Sequence, residues 1–292
     1  MTTTPATAAD PTEAAASPLA HTYRRVIASC EALSARVVSS PAEDRPDGAL
    51  LDGAVLDGAL LARSEQALDA YIDAEATRIR ERHGHEPRRD VAASRALHAY
   101  LWSVSLLISG AWFLERRVPR IAPRDVGVDH GRVMFEVLPG EDFACLPDDP
   151  AASTPGARVV AHEEGLRAEL RSAVADHVQP LLTAIGPRVR RGARALWGMA
   201  ADDLISGVWY LGRMLDQEER AVRAAAQLLP GAVPPFPGGA GFRRLTGGDA
   251  RSHTTRTRLG CCMYYTLDAA EACLTCPRTC DAERLRRLES EA

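Results

Sequence analysis

A run of 19 residues without a single Asp, Glu or Arg constrains the fold of this chain more than any other feature. It extends from Ala96 to Leu114, between Arg95 and Glu115. A helix with no polar face has to be surrounded on all sides, either by protein or by lipid. The length is marginal for a membrane span, and the run contains the polar side chains of His98, Tyr100, Ser103, Ser105 and Ser109. We therefore predict a central core helix and no membrane span, with peripheral membrane association left open.

Helical periodicity dominates most of the remaining chain. Apolar residues recur every three or four positions in the segments predicted to be helices, which are His21–Ser39, Leu50–Arg63, Glu65–Glu81, Arg89–Arg116, His162–Ile185 and Gly192–Leu229. Pro180 is expected to kink or break the fifth of these. Around Asp129-His130-Gly131, alternating apolar residues from 126 to 137 predict a β-hairpin. The predicted fold class is α+β, a mostly helical domain with a small β-hairpin or sheet and a cysteine-rich C-terminal segment.

Changes in composition suggest three parts of the chain. Residues 1–18 are biased towards Thr, Ala and Pro, which is typical of a disordered tail. Residues 19–250 are predicted to form the mainly helical domain, and a loop dense in Pro and Gly occupies its last part, residues 230–250. Residues 251–292 are predicted to form a C-terminal segment that binds a cofactor and packs on this domain.

Charge and cysteine usage exclude several classes of function. The formal net charge is −4 and no basic stripe is present, so no nucleic acid is expected as a partner. The N-terminus lacks the basic and apolar regions of a secretory signal. The seven cysteines are an odd number, which argues against a disulfide framework. A reducing cytoplasm is therefore the expected location, where clustered thiols usually indicate a metal site.

Five of the seven cysteines fall within residues 261–280. Cys261 and Cys262 are adjacent, Cys273 follows after ten residues, and Cys276 after two more. Four thiolates are the ligand set of a [2Fe–2S] cluster, because soft sulfur donors stabilise both oxidation states of iron. A structural zinc site is the alternative, although zinc sites normally have a C-x-x-C pair on both sides.

The other cysteines and one glycine lead to further expectations. Neighbouring side chains of an extended chain point to opposite sides, and Gly260 before the doublet is expected to permit the distortion that brings both thiols to one site. Cys280 lies outside the pattern, either as a spare thiol or as a substitute ligand. Cys30 and Cys145 are isolated in sequence and are predicted to be small buried hydrophobes.

The spacing C-C-x10-C-x2-C-P resembles the C-terminal cluster motif of the FhuF-like ferric siderophore reductases, a family of cytoplasmic [2Fe–2S] proteins. Arg256-Thr257-Arg258 before the doublet and Tyr264-Tyr265 after it are similar to that family as well. Weaker similarity extends upstream to residues 96–138, His177–Leu182 and Arg194–Leu204. The resemblance covers roughly residues 90–280, and only its cysteine motif is specific.

This resemblance implies an enzyme that transfers one electron from the cluster to Fe(III) bound by a siderophore, often of the hydroxamate type, and releases Fe(II). The electron donor would be a ferredoxin, a flavodoxin or an NAD(P)H-dependent reductase, since the chain has no convincing dinucleotide-binding fingerprint of its own. The alternative is an iron–sulfur redox or iron-sensing protein without siderophore turnover. An enzyme should have a cavity for the chelate beside the cluster, whereas a sensor needs only a partner surface.

Arginines and tyrosines surround the cysteines. Candidate contacts with a substrate or donor are Arg256, Arg258, Tyr264 and Tyr265. The segment also contains Arg243, Arg244, Arg251 and Arg278. These arginines form either a positive field that attracts acidic donors or an ordinary solvated loop. The two tyrosines are either packing residues or a platform for the siderophore.

Overall fold

The computed structural model describes residues 17–39, 55–130, 134–248, 251–268 and 272–291. Its helices are α1 Pro18–Ala28, α2 Gly58–Arg63, α3 Glu65–His83, α4 Arg89–Glu115, α5 Glu163–Val189, α6 Ala193–Met214, α7 Glu218–Leu228 and α8 Asp281–Glu291. Its strands are β1 Ala35–Val37, β2 Val55–Asp57, β3 Val118–Pro119, β4 Val126–Asp129, β5 Met134–Val137, β6 Phe143–Cys145, β7 Ala157–Val159, β8 Phe242–Thr246 and β9 Ser252–Arg256. The fold is α+β and mostly helical, as predicted. Nearly all of the predicted disordered tail lies outside the described residues.

Helix α4, which contains the charge-free run, lies at the centre of the core. It packs against α1, α3, α5 and α6. It is long and apolar enough to cross a membrane, but 78% of its most apolar 18-residue window is buried inside the protein. At Gly110 the packing is so close that a Cβ atom would lie 2.7 Å from Cγ1 of Val26 in α1. The prediction of a core helix is therefore confirmed.

The strands of the described ranges form three small sheets. The largest has the strand order β1-β5-β4-β2, a second has the order β3-β6-β7, and β8 pairs with β9. Strands β4 and β5 are antiparallel, with Val128 opposite Phe135, so the predicted hairpin is confirmed on both sides of residues 131–133, which lie outside the described ranges. Strands β8 and β9 pair on either side of residues 249–250, which lie outside the described ranges and include the boundary that the sequence suggests.

Two predicted helices have different bounds. The helix expected over His21–Ser39 ends at Ala28, and β1 follows because its residues pair in parallel with β5, from Ala35 opposite Phe135 onwards. The stretch expected over Leu50–Arg63 contains β2 before α2, and its first five residues lie outside the described ranges. In both places, strand pairing with a distant segment overrides local helical spacing.

Breaks in the long helices also differ from the expectation. Helix α5 runs through both Pro180 and Pro187 without a break. Both prolines are exposed, so water can bind the carbonyl groups that lose their helical partners, while the buried face of α5 keeps its packing. The stretch expected to continue from Gly192 to Leu229 is divided into α6 and α7 at Asp216, which has a left-handed φ of 55°.

His177 in α5 gives the fold a predicted pH dependence. Its Nδ1 lies 2.8 Å from the carbonyl oxygen of Ile121, and its Nε2 lies 2.9 Å from the Tyr100 hydroxyl. A carbonyl oxygen only accepts, so Nδ1 donates and Nε2 accepts from Tyr100, which requires the neutral ring. Burial lowers the pKa of His177 to about 4, whereas a histidine of the unfolded chain titrates near about 6.5.

We expect His177 to contribute about 3 kcal/mol that is fully present above pH ~6.5 and is lost as the pH falls towards 4, because the unfolded chain then binds the extra proton. The measurement is the free energy of unfolding in urea at several values between pH 7 and pH 5. The control is His177→Gln. The difference between the two proteins should shrink as the pH falls, and parallel curves would contradict the assignment.

Candidate metal centre

The cysteine-rich segment between β9 and α8 lies directly on α6. A Cβ atom on Gly260 would lie 3.0 Å from the backbone nitrogen of Met199 in α6, and one on Gly198 would lie 3.3 Å from Cβ of Leu259. The Gly260 N–H donates to Oδ2 of Asp202 at 2.6 Å. Glycine is therefore needed at position 260 for close approach to α6. The left-handed turn that follows the doublet occurs at Met263, with a φ of 66°.

The four cysteines of the motif line one small cavity. Cys261, Cys262, Cys273 and Cys276 form its wall together with Arg258, Tyr264, Tyr265 and Pro277. The Cys273-x-x-Cys276 pair is held in a tight turn by a hydrogen bond from the Cys276 N–H to the Cys273 carbonyl oxygen at 2.9 Å. Cys262 and Cys276 are buried, and the other two are partly exposed. The structure thus brings together the doublet and the pair that the sequence places ten residues apart.

The doublet and the pair interact through the side chains of Cys262 and Cys273. This interaction with Cys273, together with the charges of His98 and Arg95, lowers the pKa of Cys262 below its usual range. The same contact and burial raise the pKa of Cys273. Burial also raises the pKa of Cys261. Among the described residues, no group of three or more His, Cys, Asp or Glu side chains is arranged closely enough to hold a metal ion.

The remaining cysteines lie elsewhere. Cys30 and Cys145 are fully buried in the core, as predicted for small hydrophobic residues. Cys280 is exposed immediately before α8 and is not part of the cavity wall.

A buried ionic network joins the cysteine-rich segment to α6. Asp202 and Asp203, adjacent in α6, have completely buried side chains. Asp202 accepts a hydrogen bond from Nη2 of Arg256 at 2.7 Å, and Asp203 accepts one from Nη2 of Arg258 at 3.1 Å. Nδ1 of His98 in α4 donates to Asp203 at 2.9 Å. The network therefore joins α4, α6 and the approach to the doublet.

This network changes the interpretation of the arginines. Arg256 has no exposed surface, and its Nε and Nη1 also donate to Ala240 and Asp202 carbonyl oxygens and to Ser206. It therefore cannot contact a substrate or donor directly, contrary to the expectation from sequence. Arg258 is 7% exposed but does line the cavity. Of the flanking arginines, Arg243 pairs with Asp281 at 2.6 Å.

The two tyrosines lie at the cavity under guanidinium groups. Arg95 of α4 lies 4.8 Å from the ring centre of Tyr264, and Arg278 lies 4.4 Å from that of Tyr265. Both tyrosines are partly exposed. The two tyrosines are thus not buried in the core. Each ring already contacts a guanidinium group, so its face is not fully open to a siderophore.

Sequence reasoning missed the carboxylates of the ionic network. The signal was present in the segment Ala200–Leu204, where two adjacent Asp residues interrupt an otherwise apolar helical stretch. Buried carboxylates require partners. The sequence does not show which arginines pair with these carboxylates, since Arg256 lies 54 residues from Asp202 along the chain.

The thiol set and its cationic surroundings define the class of protein. Soft thiolate donors in a doublet and a pair are suited to a binuclear iron–sulfur cluster. Residues 258–278 match the family model described as the FhuF 2Fe–2S C-terminal domain. These residues thus form an FhuF-like iron–sulfur domain, and its cofactor is a [2Fe–2S] cluster rather than the alternative zinc ion. No curated protein matches the chain.

Proposed function

We propose that this protein is a ferric siderophore reductase of the cytoplasm, with Cys261, Cys262, Cys273 and Cys276 as cluster ligands. The bound cluster supplies single electrons, which suits the change from Fe(III) to Fe(II). Hard oxygen chelators hold Fe(III) more tightly than Fe(II), so one electron makes the iron labile. The observation that carries the proposal is the shallow position of the cysteine cavity, where Cys261 and Cys273 are partly exposed. An acceptor at the surface can therefore approach closely.

An apolar surface beside the doublet supports binding of an organic chelate. Leu259, two residues before Cys261, is 44% exposed, and it packs on Gly198 and Gly238. Trp197, which precedes Gly198 in α6, lines a cavity of about 250 Å³ together with Leu182, Leu196 and Pro235. The cysteines do not line this cavity, so the described residues lack the chelate-sized cavity beside the cluster that is expected of an enzyme, and the chelate would lie mainly on the surface.

Anaerobic mixing tests the proposed activity. Protein reduced with dithionite, and freed of excess reductant, is mixed with a ferrioxamine-type chelate and a chromogenic Fe(II) trap. We expect the cluster to be reoxidised and about one Fe(II) per cluster to be trapped, because each cluster donates one electron. If the cluster stays reduced and the trap stays colourless, the reductase proposal fails and the redox or sensing alternative is favoured.

The mouth of the cavity is suited to an acidic electron-donor protein such as a ferredoxin or flavodoxin. Arg95 and Arg278 lie over the two tyrosines of the cavity wall, and Arg191 donates to the sulfur of Met263, which follows the doublet, at 2.7 Å. Within the described residues, no carboxylate forms an ion pair with any of these three arginines. Unbalanced positive charge around a redox centre attracts an acidic partner.

Reversing one of these charges should slow reduction by the donor. Arg278→Glu is expected to lower the rate with an acidic ferredoxin by about tenfold at low salt, since steering charges act mainly on association. Reduction by dithionite, followed in the same stopped-flow assay, serves to detect damage to the cluster. The matched control is Arg24→Glu, also exposed but on α1. Equal rates for the two variants would contradict this docking surface.

A further inference from the structure

Two buried arginines, one in the wall of the cysteine cavity and one bonded to the backbone of Cys276, have N–H groups that lack an acceptor. Arg258 lines the cavity, and Arg284 belongs to α8, beyond the residues that match the family model. They are 7% and 2% exposed. In the described part of the chain, Nε of both residues and Nη1 of Arg284 are buried without a hydrogen-bond partner. An unmatched buried donor costs free energy, so each such group calls for a specific explanation.

Arg284 is anchored to the loop that contains Cys276. Its Nη2 donates to the carbonyl oxygens of Cys276 at 2.8 Å and Thr279 at 3.3 Å. Its Nη1 lies 3.6 Å from Oδ1 of Asp281. Both oxygens of Asp281, however, accept hydrogen bonds from Arg243 at 2.6 Å. The charge of Arg284 is therefore fixed in position without a carboxylate of its own.

Arg258, which precedes the doublet, is held in place by α6. Its Nη2 donates to Asp203, and its Nε lies 3.7 Å from Oδ2 of Asp202, which is too long for a hydrogen bond. That Asp202 oxygen already accepts the Gly260 N–H. One edge of the guanidinium group is thus held by α6, and its Nε remains available.

The charges of the two guanidinium groups reach sets of thiols that overlap at Cys273. The charge of Arg258 interacts with Cys262 and Cys273, and the charge of Arg284 interacts with Cys273 and Cys276. Cys273 therefore lies within the field of both. The two arginines reach it from separate elements, one before the doublet and one after the pair.

We propose that Arg258 and Arg284 complete the cluster-binding site by donating N–H hydrogen bonds to its sulfur atoms and thereby raise its reduction potential. Reduction adds one negative charge to a cluster that four thiolates already make anionic, so a fixed cation stabilises the reduced state more than the oxidised state. Hydrogen bonds to sulfur are among the factors that set such potentials. The inference rests on the assignment of the four cysteines as ligands, not on siderophore reduction.

A redox titration of the cluster-loaded protein, monitored by electron paramagnetic resonance (EPR), tests the effect of Arg284. Arg284→Met removes the charge and every donor, and we expect the midpoint potential to shift to a more negative value. Arg284→Lys keeps the charge but loses the planar fork, and we expect a smaller shift in the same direction. Arg286→Gln removes an arginine of the same helix whose side chain is 74% exposed. A potential for Arg284→Met equal to that of Arg286→Gln overturns the proposal.

A second measurement needs no substitution and does not depend on turnover. The full chain is prepared with ¹⁵N only in its arginine side chains, and the cluster is reduced with dithionite. Pulsed EPR should detect hyperfine coupling of the cluster to arginine ¹⁵N, and this coupling should decrease in Arg284→Lys. If the unsubstituted protein shows no such coupling, the hydrogen bonds do not exist and the proposal is wrong, whatever the siderophore assay shows.

Discussion

Replacing Cys262 by alanine is expected to remove the [2Fe–2S] cluster from the purified protein. Cys262 is 5% exposed and contacts Cys273 across the cavity, so it joins the doublet to the C-x-x-C pair. Outer-sphere partners of a metal site are already worth about 10- to 100-fold in affinity, and loss of a direct ligand should cost more. The measurement is iron and acid-labile sulfide per chain, together with EPR of the reduced protein.

Cys280 supplies the matched control for this experiment. It is exposed and lies outside the cavity, so Cys280→Ser should keep the full content of iron and sulfide. Cys276→Ala is a special case, because Cys280 lies only four residues further on. If this variant keeps a cluster and the double variant with Cys280→Ser does not, Cys280 is a substitute ligand. Full iron and sulfide in Cys262→Ala would contradict the ligand assignment.

Removing the carboxylate of Asp202 should have the largest effect on stability. Its side chain is completely buried, and it accepts hydrogen bonds from Arg256 and from the Gly260 N–H. Breaking a buried ion pair by deleting one partner costs about 3–5 kcal/mol, a large fraction of the ~5–15 kcal/mol that stabilises a typical domain. Asp202→Ala is therefore expected to lower the free energy of unfolding by that amount and to prevent cluster loading.

Two comparisons make this prediction specific. Asp216→Asn changes an exposed aspartate just beyond the end of the same helix and should stay within about 0.5 kcal/mol of the parent protein. In a double-mutant cycle, Asp202→Asn and Arg256→Gln should be strongly non-additive, because each single change leaves the other partner buried and unmatched. Additive effects in urea denaturation would mean that the two side chains act independently.

The parts of the fold that could be predicted are those where local pattern and tertiary environment agree. The run Ala96–Leu114 has no polar face, so burial on all sides was required whatever its neighbours are. The hairpin of β4 and β5 was readable because strand alternation and turn residues adjoin in sequence. The helix expected to continue to Ser39 failed, since Ala35–Val37 pairs with residues about a hundred positions away.

The candidate site divides in the same way. The identity and spacing of the four cysteines determine the donor set, because thiolate chemistry belongs to the side chain itself. Even their convergence was implied, since one cluster needs all four. The arginines were misread: Arg256 looked like a surface contact and is buried, while Arg284 in a polar C-terminal helix gave no signal at all.

The sequence by itself thus determined the cofactor type, the central helix and the fold class of this protein. Only the tertiary structure decided which charges are paired and which are left facing the thiols. The physical reason is that the role of a charged side chain depends on the groups that it contacts in the folded chain. Asp202 contacts Arg256 and Gly260 only after α6 and the C-terminal segment have packed. Side-chain chemistry is local, whereas burial and charge balance are properties of the folded chain.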